Sequence, residues 1–512
     1  MDSIFSGICK KFDKESRFAF VVTFIVGFIC HGFVFSGYYP NFGSLGVLIK
    51  RGSGLFKESR WVSAALAILD GKAAMPFLLG AFSLVFWALS VVCIIRIFDM
   101  HSKSAIVLTA ACFVCSPVVA SMNSFIYMAD AFAASTFFAC AGALCYKNVR
   151  NEKNLKDMCL GIICLICCIA TYQPALSVAL IIIFIRVGID TVEEDSLKAI
   201  WTGIGKALVM VVLSVAGWYL CDTIIHKLLH IESVVSSMSF NPFAGILSCY
   251  KGFVWFIFTG TFMSRLPGRI IVFADIIFVV VMLICRAKVL KEKNLSIVRC
   301  IMILGLIALS PIAANYTFIA MPDTAVVCRL FVAEIFYFLL PVIICSKWGE
   351  EFAANADPNS IYRYMCIGVT IFAVGTTIFF MEVDNTAYMS AHLKYEKDYS
   401  LATRIVDRIE SHPEYEKGMP VMIYVGAEYI YGSQIGTGDL DQFIQGMNQQ
   451  GGQLMYNLTG YTNFIDLFIQ NNLNIEWHDI NQISQDGIDK MERWPSNDCI
   501  LVEDGVMYIR LS

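Results

Sequence analysis

The sequence predicts a polytopic α-helical membrane protein with about eleven spans, one further re-entrant or interfacial helix, and a small α/β domain at its C-terminus. Three observations predict it. Of the 512 residues, 57% are apolar and 16% charged, a balance too apolar for a soluble chain of this size. Apolar runs of about 20 residues, long enough to cross the hydrocarbon core, recur up to residue 381. From residue 383 those runs stop, charge rises, and helix and strand patterns alternate.

The runs fall near 17–36, 74–97, 104–121, 127–146, 157–171, 174–188, 200–222, 268–285, 296–314, 325–346 and 361–381. Lysine and arginine gather on alternate sides of consecutive spans, as the positive-inside rule requires. Lys10, Lys11, Lys14 and Arg17 place the N-terminus inside. Arg96 with Lys103, then Lys147, Arg150, Lys153 and Lys156, then Lys198 and Lys206 mark the next inner loops, followed by the basic cluster from Arg286 to Arg299 and by Lys347 with Arg363. The stretch 243–264 breaks this parity and is therefore expected to be re-entrant or interfacial. An odd number of crossings leaves residues 383–512 outside, together with the loops 37–73, 122–126, 171–174, 223–268 and 315–324. The first apolar run is long enough to span and lacks a small-residue cleavage pattern, so no cleaved signal is expected.

In the C-terminal part, "YSLATRIVDRIESH" has helical periodicity, and "PVMIYVG", "LNIEWHDI" and "CILVEDGVMYIRL" read as strands. No P-loop or dinucleotide fingerprint occurs there. Net charge is -4 and no basic block is interleaved with aromatics, so a nucleic-acid partner is not implied. Most of the 19 cysteines sit in apolar runs, which argues against a disulfide framework. Cys112 and Cys115 make a C-x-x-C, but apolar flanks and the lack of a nearby His make it a spacing coincidence.

The outer loop 37–73 carries the chemistry-bearing residues. From Leu55 to Leu69 the apolar positions Trp61, Val62, Ala65, Leu66 and Leu69 recur at helical spacing, which predicts a helix lying in the membrane surface with Glu58, Arg60 and Asp70 held at the interface. The plain alternative is a wet face on which Glu58 pairs with Arg60 or Lys57. Asp130 lies just inside the outer end of an apolar span, where an ionisable side chain faces a polar cavity or serves the helix dipole. Arg329 opens a late span with Glu334 deeper in the same helix, as phosphate ligand or as half of an ion pair. Tyr172 and Gln173 form another outer turn, with Pro174 starting the next helix. Together these loops offer carboxylates, cations and amides on one membrane face. That inventory suits a carboxylate taking a proton from a sugar hydroxyl while cations hold a phosphate leaving group.

At these residues the chain resembles the GtrII-type glucosyltransferases, membrane enzymes of bacterial surface-glycan modification. The resemblance rests on E-S-R-W at Glu58 to Trp61, Tyr127 with Asp130, Tyr172-Gln173, Arg329, and "YEKDYSLATRIVDRIE" followed by "PVMIYVG". It implies a GT-C type fold that moves a sugar, typically glucose, from a polyprenyl-phosphate carrier to a glycan acceptor such as O-antigen or wall polysaccharide. Transfer would take place with inversion on the outer face of the bacterial cytoplasmic membrane. It also implies membrane lipid as a partner, a lipid-sugar synthase and flippase supplying the carrier, and a divalent metal as an open option. Family members often carry acidic residues soon after the first span, where this chain has Asn41, and an amide cannot accept the acceptor's proton. Glu58 is therefore the first candidate base and Asp70 the second. Asp130 would orient the acceptor or a metal, Arg60 and Arg329 would bind phosphate, and Trp61, Tyr127, Tyr172 and Gln173 would contact substrate. Trp477, Trp494, Tyr429 and Tyr431 either stack on sugars or fill a small core. The rival readings are a flippase for lipid-linked sugars, with 243–264 as a discontinuous helix, and a glycan polymerase or ligase.

Overall fold

The structure, a computed structural model, describes residues 13–37, 39–40, 45, 51–52, 54–69, 71, 73–151, 155–193, 196–232, 241–291, 297–354, 361–424, 440–447, 458–469, 473–475, 487 and 490–511. Among them, ten helices are long and apolar enough to cross a membrane, eleven if one bent pair counts as a single span. Helix α1 (Lys14–Ser36) begins where the Asp13 side chain accepts the Ser16 N–H at 2.7 Å, an N-cap that satisfies one of the orphan donors. After the short α2 (Trp61–Leu69), α3 (Pro76–Ile97) starts on a proline, whose missing N–H costs nothing at a first turn.

The third span is broken. α4 (Lys103–Val114) stops at Cys115, and α5 (Pro117–Asn123) restarts bent by 50°. Pro117 supplies the reason, since inside a continuous helix it would remove a hydrogen bond and clash with the preceding turn. Then come α6 (Ala129–Asn151), α7 (Leu155–Thr171), α8 (Leu176–Glu193) and α9 (Leu197–Leu229). At 17 residues α7 is the shortest of these and lies at the lower edge of what spans. The expected count of eleven and the observed count therefore draw on different segments, because the structure adds Pro242–Thr259, which the charge pattern had set apart.

That segment is α10 (Pro242–Val254) continued by a π-helical turn to Thr259. Near its start, Ser248 Oγ donates to the Pro322 carbonyl at 3.3 Å. Just after its end, Arg265 pairs with Glu382 at 2.9 Å. Gly245 permits this packing: a Cβ there would stand 2.5 Å from the Ile319 backbone. The remaining helices are α11 (Leu266–Lys291), α12 (Ile297–Ala314), the single turn α13 (Thr317–Ala320), α14 (Ile335–Ala354) and α15 (Ile361–Glu410).

α15 is 50 residues long and runs unbroken through position 382, where the sequence pattern places the domain boundary. Its first part is apolar and packs in the bundle. Its last turns instead place Leu401, Ala402, Ile405, Val406 and Ile409 on one stripe that buries against a four-stranded sheet. The strands are β1 (Pro420–Tyr424), β2 (Asn474–Ile475), β3 (Ile500–Glu503) and β4 (Val506–Arg510), in the order β2-β1-β4-β3. β1 runs parallel to β2 and β4, while β3 and β4 form an antiparallel hairpin. Asp504 and Gly505 turn that hairpin with φ of 50° and 76°, the pair of left-handed residues a two-residue turn needs. The short α16 (Leu440–Phe443) folds back onto the bundle, with Arg265 over the Phe443 ring at 4.3 Å.

The two ends of the bundle differ in kind. At one end the basic residues of the expected inner loops meet acidic partners: Lys147 and Arg186 reach Asp99, and Arg150 and Arg186 reach Asp190 at 2.9 and 3.0 Å. Burial alone would raise the Asp99 carboxyl, but Lys147, Lys347 and Arg186 outweigh it and hold it below the usual range. At the opposite end of the same helices lie Asp130, Tyr172, Gln173 and the loop 51–60.

Candidate active site

The helix expected over 55–69 is shorter than its periodicity, because one left-handed residue interrupts it and another precedes it. Gly54 has φ of 82° and Ser59 of 59°, so 54–60 is a chain of turns and the helix begins at Trp61. Ser63 Oγ ties α2 to the end of α7 through the Thr171 carbonyl at 2.7 Å. Ile68 and Leu69 remain exposed, as an interfacial helix requires.

Glu58 and Arg60 therefore sit on the turn rather than on the helix, and the structure joins them at 2.6 Å, as the plain reading anticipated. The pair does more than cover a wet face. Arg60 Nε also donates to Gln173 Oε1 at 3.2 Å, and the Gln173 amide returns a bond to the Glu58 carbonyl at 2.8 Å. The same guanidinium lies 5.3 Å from the centre of the Tyr172 ring. Tyr316 donates its hydroxyl to the Gln173 carbonyl, fixing the 171–174 turn from the far side. Burial pushes the Tyr172 phenol up, partly offset by Arg329 and Arg60, so it stands as a neutral hydroxyl beside two cations.

Arg329 opens the 3-10 turn Cys328–Glu334 and lies over the Phe125 ring at 4.6 Å. One of its terminal nitrogens is buried with no acceptor among the described residues, as is the indole N–H of Trp61. Glu334 turns away from this arginine to accept the Asn315 amide at 2.6 Å, so the ion pair weighed for Arg329 and Glu334 gives way to a buried amide bond. Tyr127 lies within electrostatic reach of Arg329, Arg60 and Glu58.

Asp130 is placed differently from its expected role. Arg51, which sequence reasoning passed over, donates one nitrogen to the Asp130 carboxylate and another to the Tyr127 carbonyl. Both side chains are all but fully buried. A carboxylate held by a guanidinium in this way anchors the start of the loop 51–60 to the bundle. Sequence reasoning also missed Asp222 and His226 near the end of α9. Ser59 Oγ donates to Asp222 Oδ2 at 2.9 Å, and His226 Nδ1 stands 3.3 Å from Asp222 Oδ1. The hydroxyl of a strained residue, which stands between Glu58 and Arg60 in the chain, is thus fastened to α9.

Asp70, Asn41, Trp477, Tyr429 and Tyr431 lie outside the described residues. Trp494 serves the core reading: it packs in the small α/β cluster with Arg404 and Arg408 over its ring at 5.7 and 5.5 Å.

The sequence profile of the family described as glucosyl transferase GtrII matches residues 32–346, well over half of the chain and inclusive of every residue in this cluster. The chain belongs to the GtrII glucosyltransferase family. No curated protein and no solved structure matches it. Membership makes it a glucosyltransferase, and its long apolar helices make it a membrane protein. In the matched span lie the interlock of Glu58, Arg60, Tyr172 and Gln173 and the stacked Arg329; the last long helix and the sheet lie outside it.

Proposed function

We propose that this glucosyltransferase takes its sugar from a polyprenyl-phosphate carrier and transfers it to a surface glycan on the outer face of the bacterial cytoplasmic membrane, within a GT-C type architecture. The observation that carries the reading is the interlock of Glu58, Arg60, Tyr172 and Gln173 beside Arg329, at the bundle end opposite the basic loops. An apolar, partly exposed helix adjoins it, so a prenyl chain can stay in lipid while phosphate and sugar meet the polar turn.

In this mechanism an acceptor hydroxyl attacks the anomeric carbon from the side opposite the phosphate. Glu58, whose side chain is about half exposed, takes the hydroxyl proton as the new glycosidic bond forms. The bond from the anomeric carbon to the phosphate oxygen breaks, and the carrier phosphate leaves with the bonding pair. Arg60 and Arg329 meet the charge that gathers on it, a task suited to a guanidinium with spare donors. Tyr172 and Gln173 orient the sugar through neutral hydrogen bonds. Asp70 is the alternative base.

The test is transfer of radiolabelled glucose from polyprenyl-phosphate glucose to surface-glycan extract by the purified full chain. Glu58→Gln should lower turnover by roughly 10²–10⁴-fold, the usual worth of a general base. Wild-type turnover in that variant with loss in Asp70→Asn would move the base to Asp70. No transfer by wild type, with labelled carrier crossing a vesicle bilayer instead, would replace the reading with the flippase.

A further inference from the structure

Three side chains that this mechanism does not use meet inside the bundle. Cys30 and His31, neighbours in α1, face Asp384 of α15, and their ligand atoms all lie within 4.8 Å of one another. All three side chains are fully buried. Cys30 Sγ stands 3.2 Å from Asp384 Oδ2, while Asp384 Oδ1 is buried with no hydrogen-bond partner. No lysine or arginine pairs with this carboxylate among the described residues. An acid so placed in the apolar interior of a membrane bundle is costly unless something neutralises it.

The imidazole is already oriented as a ligand would be. Nε2 lies 2.8 Å from the Val114 carbonyl, an acceptor only, so this nitrogen carries the proton and donates. Nδ1 is left with its lone pair, 2.7 Å from the Tyr388 hydroxyl, one turn beyond Asp384 on α15. The Tyr388 hydroxyl donates to that lone pair, so an ion bound through Nδ1 displaces this one hydrogen bond while Nε2 stays fixed by a carbonyl, as in metal-binding histidines. Cys115, at the break between α4 and α5, lies within hydrogen-bonding reach of the Cys30 thiol.

We propose that Cys30, His31 and Asp384 form a binding site for a divalent transition metal, with Zn2+ the ion that a thiolate, an imidazole and a carboxylate favour. One thiolate and one carboxylate offset the two charges of the ion, so the loaded site is neutral where a lone carboxylate is not. Loading releases the Cys30 thiol proton to solvent. The site joins the first span, the broken span and the last span, and its three ligands lie outside the residues matched by the family profile.

The test uses the full chain purified in detergent without chelator, incubated with zinc or cobalt chloride and freed of excess metal by gel filtration. Elemental analysis should find one zinc per chain, and cobalt loading should give a sulfur-to-cobalt charge-transfer band. Cys30→Ser and Asp384→Asn should each lower retained metal by at least about tenfold, while Cys140→Ser, a buried thiol elsewhere, should change nothing. The wild-type cobalt spectrum does not depend on the folding of any variant. Wild-type protein without bound metal after loading, or wild-type metal content in both Cys30→Ser and Asp384→Asn, would overturn the proposal and leave Asp384 as a protonated acid bonded to a thiol.

Discussion

Replacing Arg51 by methionine removes the guanidinium from a carboxylate that the fold has already taken out of water. The two side chains keep 1% and 4% of their surface exposed, so little solvent can enter to replace the lost partner. Deleting one member of a buried pair costs about 3–5 kcal/mol, or between two and four powers of ten in the folded fraction. The Tyr127 carbonyl loses its donor at the same stroke. Replacing both partners, in Arg51→Met with Asp130→Leu, leaves no stranded charge and should recover most of that loss, because apolar isosteres of buried pairs are neutral or better. Equilibrium unfolding in mixed detergent micelles, followed by tryptophan fluorescence, gives the four corners of the double-mutant cycle. A coupling of about 2 kcal/mol or more is expected. An Arg51→Met protein within about 0.5 kcal/mol of wild type, or a double variant equal to the sum of the singles, would refute the claim that this pair anchors the loop.

Ser59 holds φ of 59° and donates to Asp222, and both Ser59→Ala and Ser59→Gly withdraw that donor from a buried carboxylate, at about 1–3 kcal/mol. Ser59→Gly also relieves about 1 kcal/mol of left-handed strain, which Ser59→Ala keeps. Thermal stability should therefore rank Gly above Ala, where the reverse order would refute the strain, and Ala below wild type, where equality would remove the hydrogen bond to Asp222 from the account. At the return contact, a Cβ on Gly446 would stand 2.5 Å from the Gly260 carbonyl oxygen. Gly446→Ala should therefore lower disulfide cross-linking between Ser264→Cys and Gln445→Cys, whose native side chains meet at 2.9 Å; an unchanged yield would show that the segment docks elsewhere. A cysteine in place of the exposed Glu414 should react with an impermeant maleimide in intact cells, and protection there would reverse the assigned sides.

Much of the bundle was legible because membrane length and charge asymmetry are one-dimensional signals. Apolar runs mark spans, and Lys147, Arg150, Arg186 and Lys347 from different segments meet around Asp99 and Asp190. Tyr172, Gln173, Glu58 and Arg60 could be nominated for the same reason: polar residues at the mouths of apolar runs stand out. Arg51 did not stand out, since one basic residue in "LIKRGSG" looks like any loop cation until Asp130 is seen opposite it. Asp222 and His226 were hidden because α9 continues past its apolar window, where hydropathy falls while helical hydrogen bonding does not. The same cause hid the length of α15, where charge rises at residue 382 and the backbone simply carries on. The start of α2 was misjudged because apolar periodicity says nothing of the left-handed turn at Ser59.

Helix α15 stays packed on α1 as far as His392, whose ring meets Phe33, and at 1.5 Å per residue the part beyond it extends about 27 Å. Alone, that would be a mast free to sway, and a tilt of about 10° at its foot would carry its tip sideways by about 5 Å. The return segment supplies a second footing, with Phe443 under Arg265 and Gly446 against Gly260. The same helix thus carries Asp384 inside the bundle and the stripe that backs the sheet, so a shift of one bears directly on the other.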